Sequence, residues 1–380
     1  MSGSIVTPRF LFGRGAFEKL GEICGEFGRK AGVFLSGSSL KNGLGERALA
    51  LLEDAGVAAA CHQVPSGEPT PQVMREAAAF LRRIGADMAV AIGGGSVLDT
   101  GKLAAALAAN EGDVLDYIEG VGSRKLARRP LPFVAAPTTA GTGSEMSKNS
   151  VVIEPGRFKN SVRDDRMLAR VAVVDPLLTL SVPRDVTASS GADAVCQLIE
   201  AYTTKTPNSF TDALALQYMG PAVEALEAAT ADGGNVEARE TMALSASASG
   251  ICLANSGLGM AHGISAALGT VAGVPHGIGC GILMPVVAEA NAEEGVARYQ
   301  DVAERLGLGR LEPQAAGRAV ARRLREMNEK IGLPADLRQF GIAPEQLERI
   351  ASLAAASSSG RKNPVAMGKD QVAALLRPLI

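Results

Sequence analysis

The sequence predicts a doubly wound parallel α/β sheet of Rossmann-like type over residues 1–180 and an all-helical domain over 181–380. Three observations lead there. An apolar run at 89–92 meets Gly93, Gly94, Gly95 and Ser96 before a helical pattern begins, the form of a buried parallel strand turning into a helix. Short apolar runs alternate with helical stretches through the first half of the chain. Near Ser181 the patterns become long, Ala-rich and helical. A chain of 380 residues also exceeds one ordinary core, which asks for two domains.

Taken in order, residues 4–12 read as an opening strand and 13–25 as a first helix. A second strand at 31–36 runs into a loop at 37–40, followed by a helix to Glu53. Residues 57–64 form a strand, and Pro69-Thr70-Pro71 opens a helix to Ile84. The strand at 88–92 leads into the glycine turn. Residues 132–136 are another buried strand, and 151–153 with 171–174 complete the sheet. Helices are expected at 187–203, 210–229, 235–254, 263–268, 286–291, 296–306, 312–331, 344–355 and 369–379, with a loop tip at 354–360.

Composition narrows the function classes. A net charge of −2 gives no basic face for nucleic acid. No apolar run is long enough to span a membrane, and the first ten residues lack the basic start and apolar core of a signal peptide. The five cysteines have no C-x-x-C spacing and are odd in number, which reads as reduced thiols in a cytoplasmic protein.

Two turns carry candidate ligand chemistry. After the strand at 88–92, glycines leave the backbone bare, Ser96 can cap the helix, and the free N–H groups of that helix form an anion site suited to a pyrophosphate. The plain alternative is a tight turn with no ligand. After the strand at 132–136, Thr138, Thr139 and Thr142 stand among Gly141 and Gly143, offering hydroxyls and bare N–H groups to phosphate oxygens. Ligands in such sheets sit beyond the carboxyl ends of the strands.

The helical half brings a second constellation. Of three histidines in the chain, His262 and His276 fall in one Gly-rich stretch, whereas His62 belongs to a sheet edge. Asp193 and Gln197, four apart, share a helix face. Asp, His and His with a water position could hold a divalent metal. A partly buried histidine capping a helix is the alternative.

Together these motifs resemble the iron-containing (group III) alcohol dehydrogenases along essentially the whole chain. The resemblance rests on residues 93–102, on 137–145, on Val174-Asp175-Pro176 with Thr179-Leu180-Ser181, and on 257–276. It implies that family's architecture, shared with dehydroquinate synthase, with an active-site cleft between the two domains. It implies nicotinamide cofactor binding, with Gly94, Gly95, Ser96 and Asp99 in the pyrophosphate motif. Thr138, Thr139 and Thr142 would line the cofactor, Lys159 would approach its ribose, and Asn149 would lie near the substrate. It implies a metal site of Asp193, Gln197, His262 and His276, filled by iron(II) with zinc as the alternative, and a homodimer paired through the N-terminal strand.

Three departures from the family pattern stand out. Gln197 occupies the place of a family histidine, and a neutral amide binds transition metals more weakly than imidazole. Ala266 stands where the family often has a proton-relaying histidine. The turn after the second strand has Gly37 near the position of an Asp typical of NAD-preferring members, and Ser38 and Ser39 could bond a 2′-phosphate. That turn reads as NADP, or as use of both NADP and NAD. The implied activity is hydride transfer between NAD(P)H and a small aldehyde or ketone, the carbonyl polarised by the metal. A metal-free enzyme like the maleylacetate reductases and a redox-silent dinucleotide-binding protein are the alternatives. Lys148 and Arg163 are candidates for an anionic substrate, but read first as solvated surface charges.

Overall fold

The computed structural model describes residues 5–380. Its chain clusters into two compact units. One takes the residues up to Thr139, Gly143–Glu154 and Phe158–Thr179; the other takes Ala140–Thr142, Pro155–Arg157 and Leu180–Ile380.

The first unit is built on a six-stranded sheet of β1 (Arg9–Phe12), β2 (Lys30–Ser36), β3 (Ala58–Val64), β4 (Met88–Gly93), β5 (Phe133–Pro137) and β8 (Val171–Val174). The spatial order is β1-β8-β5-β4-β2-β3, and every pairing is parallel. Every residue of β4, β5 and β8 is buried, as their unbroken apolar runs require of strands covered on both faces. The helices between strands are α1 (Leu20–Gly25), α2 (Gly37–Lys41), α3 (Leu44–Asp54), α4 (Pro71–Ile84), α5 (Gly95–Ala109) and α6 (Val114–Tyr117). In α4, Met74, Ala77, Ala78 and Leu81 recur at helical spacing and face the core, and Thr70 caps the helix on the N–H of Val73. The chain runs outward from β2 to β3 and then crosses to β4 on the other side of β2. The crevice of this reversal lies at the carboxyl ends of β2 and β4.

Several expectations need correction. The residues at 37–40 are not a loop: the Ser36 hydroxyl accepts from the N–H of Ser39 at 3.1 Å and starts the short helix α2. Residues 151–153 are not in the parallel sheet. They belong to β6 (Asn149–Glu154), which pairs antiparallel with β7 (Phe158–Arg163) in a separate hairpin. Pro155 and Gly156, with Gly156 at φ +71°, supply the turn that makes this pairing local. The expected helix at 13–25 begins as a 3-10 turn at Ala16. The opening strand starts at Arg9, and Ser4 of its expected span lies outside the described residues.

The second unit is helical throughout: α7 (Arg184–Thr203), α8 (Ser209–Ala231), α9 (Val236–Ser256), α10 (Met260–Ala272), α11 (His276–Glu293), α12 (Tyr299–Arg305), α13 (Pro313–Ile331), α14 (Pro344–Ala356) and α15 (Lys369–Leu376). A single apolar cluster runs through α7 to α15. Small residues let these helices approach closely: a Cβ on Gly277 would lie 2.1 Å from the backbone oxygen of Ser189, so only glycine permits α11 this contact with α7. The expected loop tip at 354–360 is ordered structure; α14 runs to Ala356 and Gly360 is buried. Among the described residues no single helix is long and apolar enough to cross a membrane.

Candidate active site

At the carboxyl end of β4, Gly94 caps α5 and Ser96 does not; the carbonyl of Gly94 accepts from the N–H groups of Val97 and Leu98. Gly95 and Ser96 therefore form the first turn, with their N–H groups ahead of the first intrahelical bond. The N–H of Thr138 donates to the carbonyl of Gly93, which ties the turn after β5 to the turn after β4. A Cβ on Gly94 would touch Thr139 at 3.4 Å, so Gly94, Gly95, Ser96, Thr138 and Thr139 form one polar rim. Gly37 and Ser38 sit in the first turn of α2, at the end of the neighbouring β2. Ser38 is exposed, whereas Ser39 is buried and its hydroxyl is 2.8 Å from that of Ser36.

Asp99, placed by its motif with the pyrophosphate, is turned inward. Its Oδ2 accepts from the N–H of Val151 at 2.9 Å and its Oδ1 from the hydroxyl of Ser144. One turn on, the fully buried Lys102 donates to the carbonyls of Ser144 and Asn149, both at 2.7 Å, and lies near the hydroxyls of Ser144 and Ser147. Burial pushes this ammonium below its ordinary range, against the pull of Asp99 and Glu145. Lys102 and Asp99 hold the chain that leaves the threonine turn. Asn149, the expected substrate residue, begins β6 and meets Lys102 through its backbone. Lys159 on β7 pairs with Glu68 at 2.5 Å. Lys148 and Arg163 pair with Asp165 and Glu119, the surface role already favoured for them. The His62 ring stacks on Phe80 at 5.1 Å, a packing role.

In the helical unit, α7 presents Asp193, Gln197 and Glu200 at i, i+4 and i+7, all buried. His262 comes from the first turn of α10 and His276 opens α11. The structure brings Asp193, His262 and His276 together. His262 Nε2 lies 3.1 Å and His276 Nε2 3.7 Å from Asp193 Oδ1. Each imidazole is oriented from behind. His262 Nδ1 is 2.6 Å from Glu200, and His276 Nδ1 is 3.0 Å from the hydroxyl of Ser265, which donates onward to the carbonyl of His276. Both rings thus present Nδ1 to an oxygen partner and aim Nε2 at Asp193. Glu200 also accepts from the N–H groups of Gly259 and Ala261 at the start of α10. A Cβ on Gly259 would come within 2.8 Å of its carboxylate, which explains glycine there.

Gln197 behaves otherwise than expected of a ligand. Its Nε2 faces Asp193 Oδ2 at 3.1 Å and the carbonyl of Thr142 at 3.4 Å, while its Oε1 accepts from Ser249 at 2.7 Å. Its carbonyl is turned away from the imidazoles. Thr142, expected on the cofactor, groups by its contacts with the helical unit. Four residues after His276, Cys280 enters the cluster: donor atoms of Asp193, His262, His276 and Cys280 all lie within 4.8 Å of one another. Burial disfavours an imidazolium at His262, yet Cys280, Glu200 and Asp193 outweigh it and hold its pKa well above the ordinary value.

Sequence reasoning missed Glu200, Ser265, Cys280 and Lys102 as supports of these sites. The signal for Glu200 was its i+7 spacing from Asp193, and for Cys280 its i+4 spacing from His276.

A parallel sheet with a glycine turn at its reversal point, in a chain whose helical unit gathers Asp and His, defines a dinucleotide-linked oxidoreductase. The family model for iron-containing alcohol dehydrogenase matches residues 7–176, and that for the C-terminal part of the same family matches 187–380. The NAD-dependent methanol dehydrogenase of Bacillus methanolicus is 32% identical over 99% of both chains. The 1,3-propanediol dehydrogenase of Klebsiella pneumoniae is 32% identical over 96% of this chain and 95% of its own. A crystal structure of 1,3-propanediol oxidoreductase superposes with a TM-score of 0.94, at 30% identity and full coverage of both chains. The chain belongs to the iron-containing alcohol dehydrogenase family. It is an oxidoreductase that moves a hydride between a nicotinamide dinucleotide and a small alcohol or carbonyl compound.

Proposed function

We propose that this enzyme reduces small aldehydes or ketones with NADPH, and with NADH as well, using a divalent metal held by Asp193, His262 and His276. The observation that carries the metal is the paired orientation of the imidazoles. Glu200 and Ser265 occupy both Nδ1 positions, so both Nε2 atoms converge on Asp193 Oδ1. A bound metal supplies a Lewis acid that polarises the substrate carbonyl. Iron(II) is the first choice, and the same donors suit zinc. Gly94, Gly95 and Ser96 offer backbone N–H groups to the pyrophosphate, and Thr138 and Thr139 offer hydroxyls. Ala266, four residues after His262 on α10, has no group to relay a proton, so the product hydroxyl takes its proton from solvent or the cofactor ribose.

The NADP reading rests on the turn after β2. No carboxylate stands between Ser36 and Lys41 to repel a 2′-phosphate, and the Ser38 hydroxyl is exposed to bond one. The position of β1 at the edge of the sheet, with Phe10 exposed at 40%, supports a homodimer, to be checked by light scattering. Five cysteines without a disulfide support a reducing, cytoplasmic setting.

The test is elemental analysis of protein purified anaerobically, exposed to ferrous and zinc ions and dialysed. Near one metal per chain, lost in Asp193→Ala, is expected. Failure to retain metal overturns this reading. It would favour a second one, a metal-free reductase in which protein side chains polarise the carbonyl, consistent with Gln197 turning its amide nitrogen to Asp193.

A further inference from the structure

We propose that Cys280, not Gln197, is the fourth protein ligand of the metal site. The inference rests on the metal reading above and deepens it.

Three distances carry the argument. His262 Nε2 to Asp193 Oδ1 is 3.1 Å, His276 Nε2 to Asp193 Oδ1 is 3.7 Å, and Cys280 Sγ to His276 Nε2 is 3.7 Å. An ion at tetrahedral centre with ordinary metal–nitrogen, metal–oxygen and metal–sulfur bonds separates its ligand atoms by about 3.4–3.6 Å. These three edges approach that separation, and one donor atom from each of Asp193, His262, His276 and Cys280 lies within 4.8 Å of the others. The helix explains the placement. Cys280 lies one turn after His276 on α11, so both side chains leave the same face.

Gln197 offers the opposite arrangement. Its amide nitrogen faces the Asp193 carboxylate, and its oxygen is held by Ser249. An N–H donor cannot ligate a cation. Cys196 is a second sulfur in the neighbourhood, but its Sγ lies 3.6 Å from His262 Nδ1, the nitrogen that Glu200 occupies, on the far side of the ring from Asp193. Cys280 puts its sulfur 3.7 Å from His276 Nε2, the nitrogen that aims at Asp193. Coordination replaces the S–H bond of Cys280 by a metal–sulfur bond, and the thiol proton leaves to solvent. The ligand count lost with the substitution at position 197 is thereby restored, with a softer donor.

The test is the absorption spectrum of the full-length protein loaded anaerobically with cobalt(II). A thiolate ligand gives an intense sulfur-to-cobalt charge-transfer band in the near ultraviolet, which carboxylate and imidazole ligands do not. The band is expected in the parent protein, in Cys196→Ser and in Gln197→Ala. It is expected to vanish in Cys280→Ser, with cobalt affinity weakened by more than about tenfold, since loss even of a group supporting a ligand costs about that much. Cobalt bound in an Asp193-dependent manner, with visible d–d bands but no charge-transfer band, overturns the assignment of Cys280 and leaves the metal reading standing. A band that survives Cys280→Ser and disappears in Cys196→Ser overturns it also. Absence of bound cobalt in the parent protein overturns both. Cys280→Ser exchanges one small buried atom for another, and Cys280→Ala read by the same spectrum serves if the serine variant does not fold.

Discussion

Glu200 governs the imidazole cluster without itself facing Asp193. One oxygen lies 2.6 Å from His262 Nδ1, and the carboxylate caps the start of α10 by accepting from the N–H groups of Gly259 and Ala261. An amide in its place has a single acceptor oxygen and an NH2 group that opposes those donors. Glu200→Gln is expected to weaken metal binding by about 10- to 100-fold in a chelator competition, with helix content by circular dichroism unchanged. Unaltered affinity would mean that the ring is oriented by packing alone. Under the proposed use of NADPH, Gly37 is the residue to test for cofactor choice. A Cβ there meets only the flexible end of Gln63, at 3.2 Å, so an acidic side chain fits. Gly37→Asp should raise the KM for NADPH about tenfold or more by setting a carboxylate against the 2′-phosphate, and should spare or improve NADH. Equal effects on both cofactors would place the 2′ position elsewhere. At this scale Asp193, His262 and His276 were legible because histidine is rare in the chain and the spacings are distinctive. Ser265 was not legible, because its hydrogen bond to His276 exists only once α10 and α11 pack.

Helix α5 shows how an element, rather than a residue, shapes the first unit. Its N-terminal turn offers N–H groups, and its second turn carries Asp99 and Lys102 at i and i+3, whose side chains hold the backbone at Ser144, Asn149 and Val151. Lys102→Met keeps the length of the side chain and removes every donor. The buried carbonyl of Ser144 and the partly buried one of Asn149 then lose this donor, and Asp99 keeps its charge without the nearby ammonium, for a cost of about 3–5 kcal/mol. The midpoint of urea unfolding should fall accordingly, and calorimetric titration should show weakened dinucleotide binding. Intact binding with a lowered midpoint would confine Lys102 to stability. The alternating strands and helices were readable because the strands are short apolar runs and helix periods are long. The hairpin of β6 and β7 was misread because β6 looks the same whether it joins a large sheet or pairs with its neighbour, and only the turn at Pro155 and Gly156 separates the two. Helix α2 was misread because Gly-Ser-Ser favours turns, until the Ser36 hydroxyl supplies a cap.

For the whole molecule, acid stability follows from carboxylates whose ionised form the fold prefers. Glu227 on α8 is the clearest in the helical unit, bonded to Arg323 at 2.6 Å and to Lys330 at 2.9 Å, both on α13. Burial pushes its carboxyl up, but the hydrogen bonds and charges of Arg323 and Lys330 outweigh it, so the group ionises below the usual carboxylate range. A carboxyl with a depressed folded pKa contributes stability that is full above the unfolded pKa and is lost as pH falls through the folded one. Glu227→Gln should therefore lower stability by about 0.5–1 kcal/mol at neutral pH, a value kept small because solvent reaches the pair. The parent and the variant should converge as pH drops below about 4, where the parent's own carboxylate takes up a proton. Urea midpoints measured at pH 7 and pH 3 test this. A difference that stays constant across that interval would show that the amide disturbs packing between α8 and α13, and that the charge of Glu227 does not secure them.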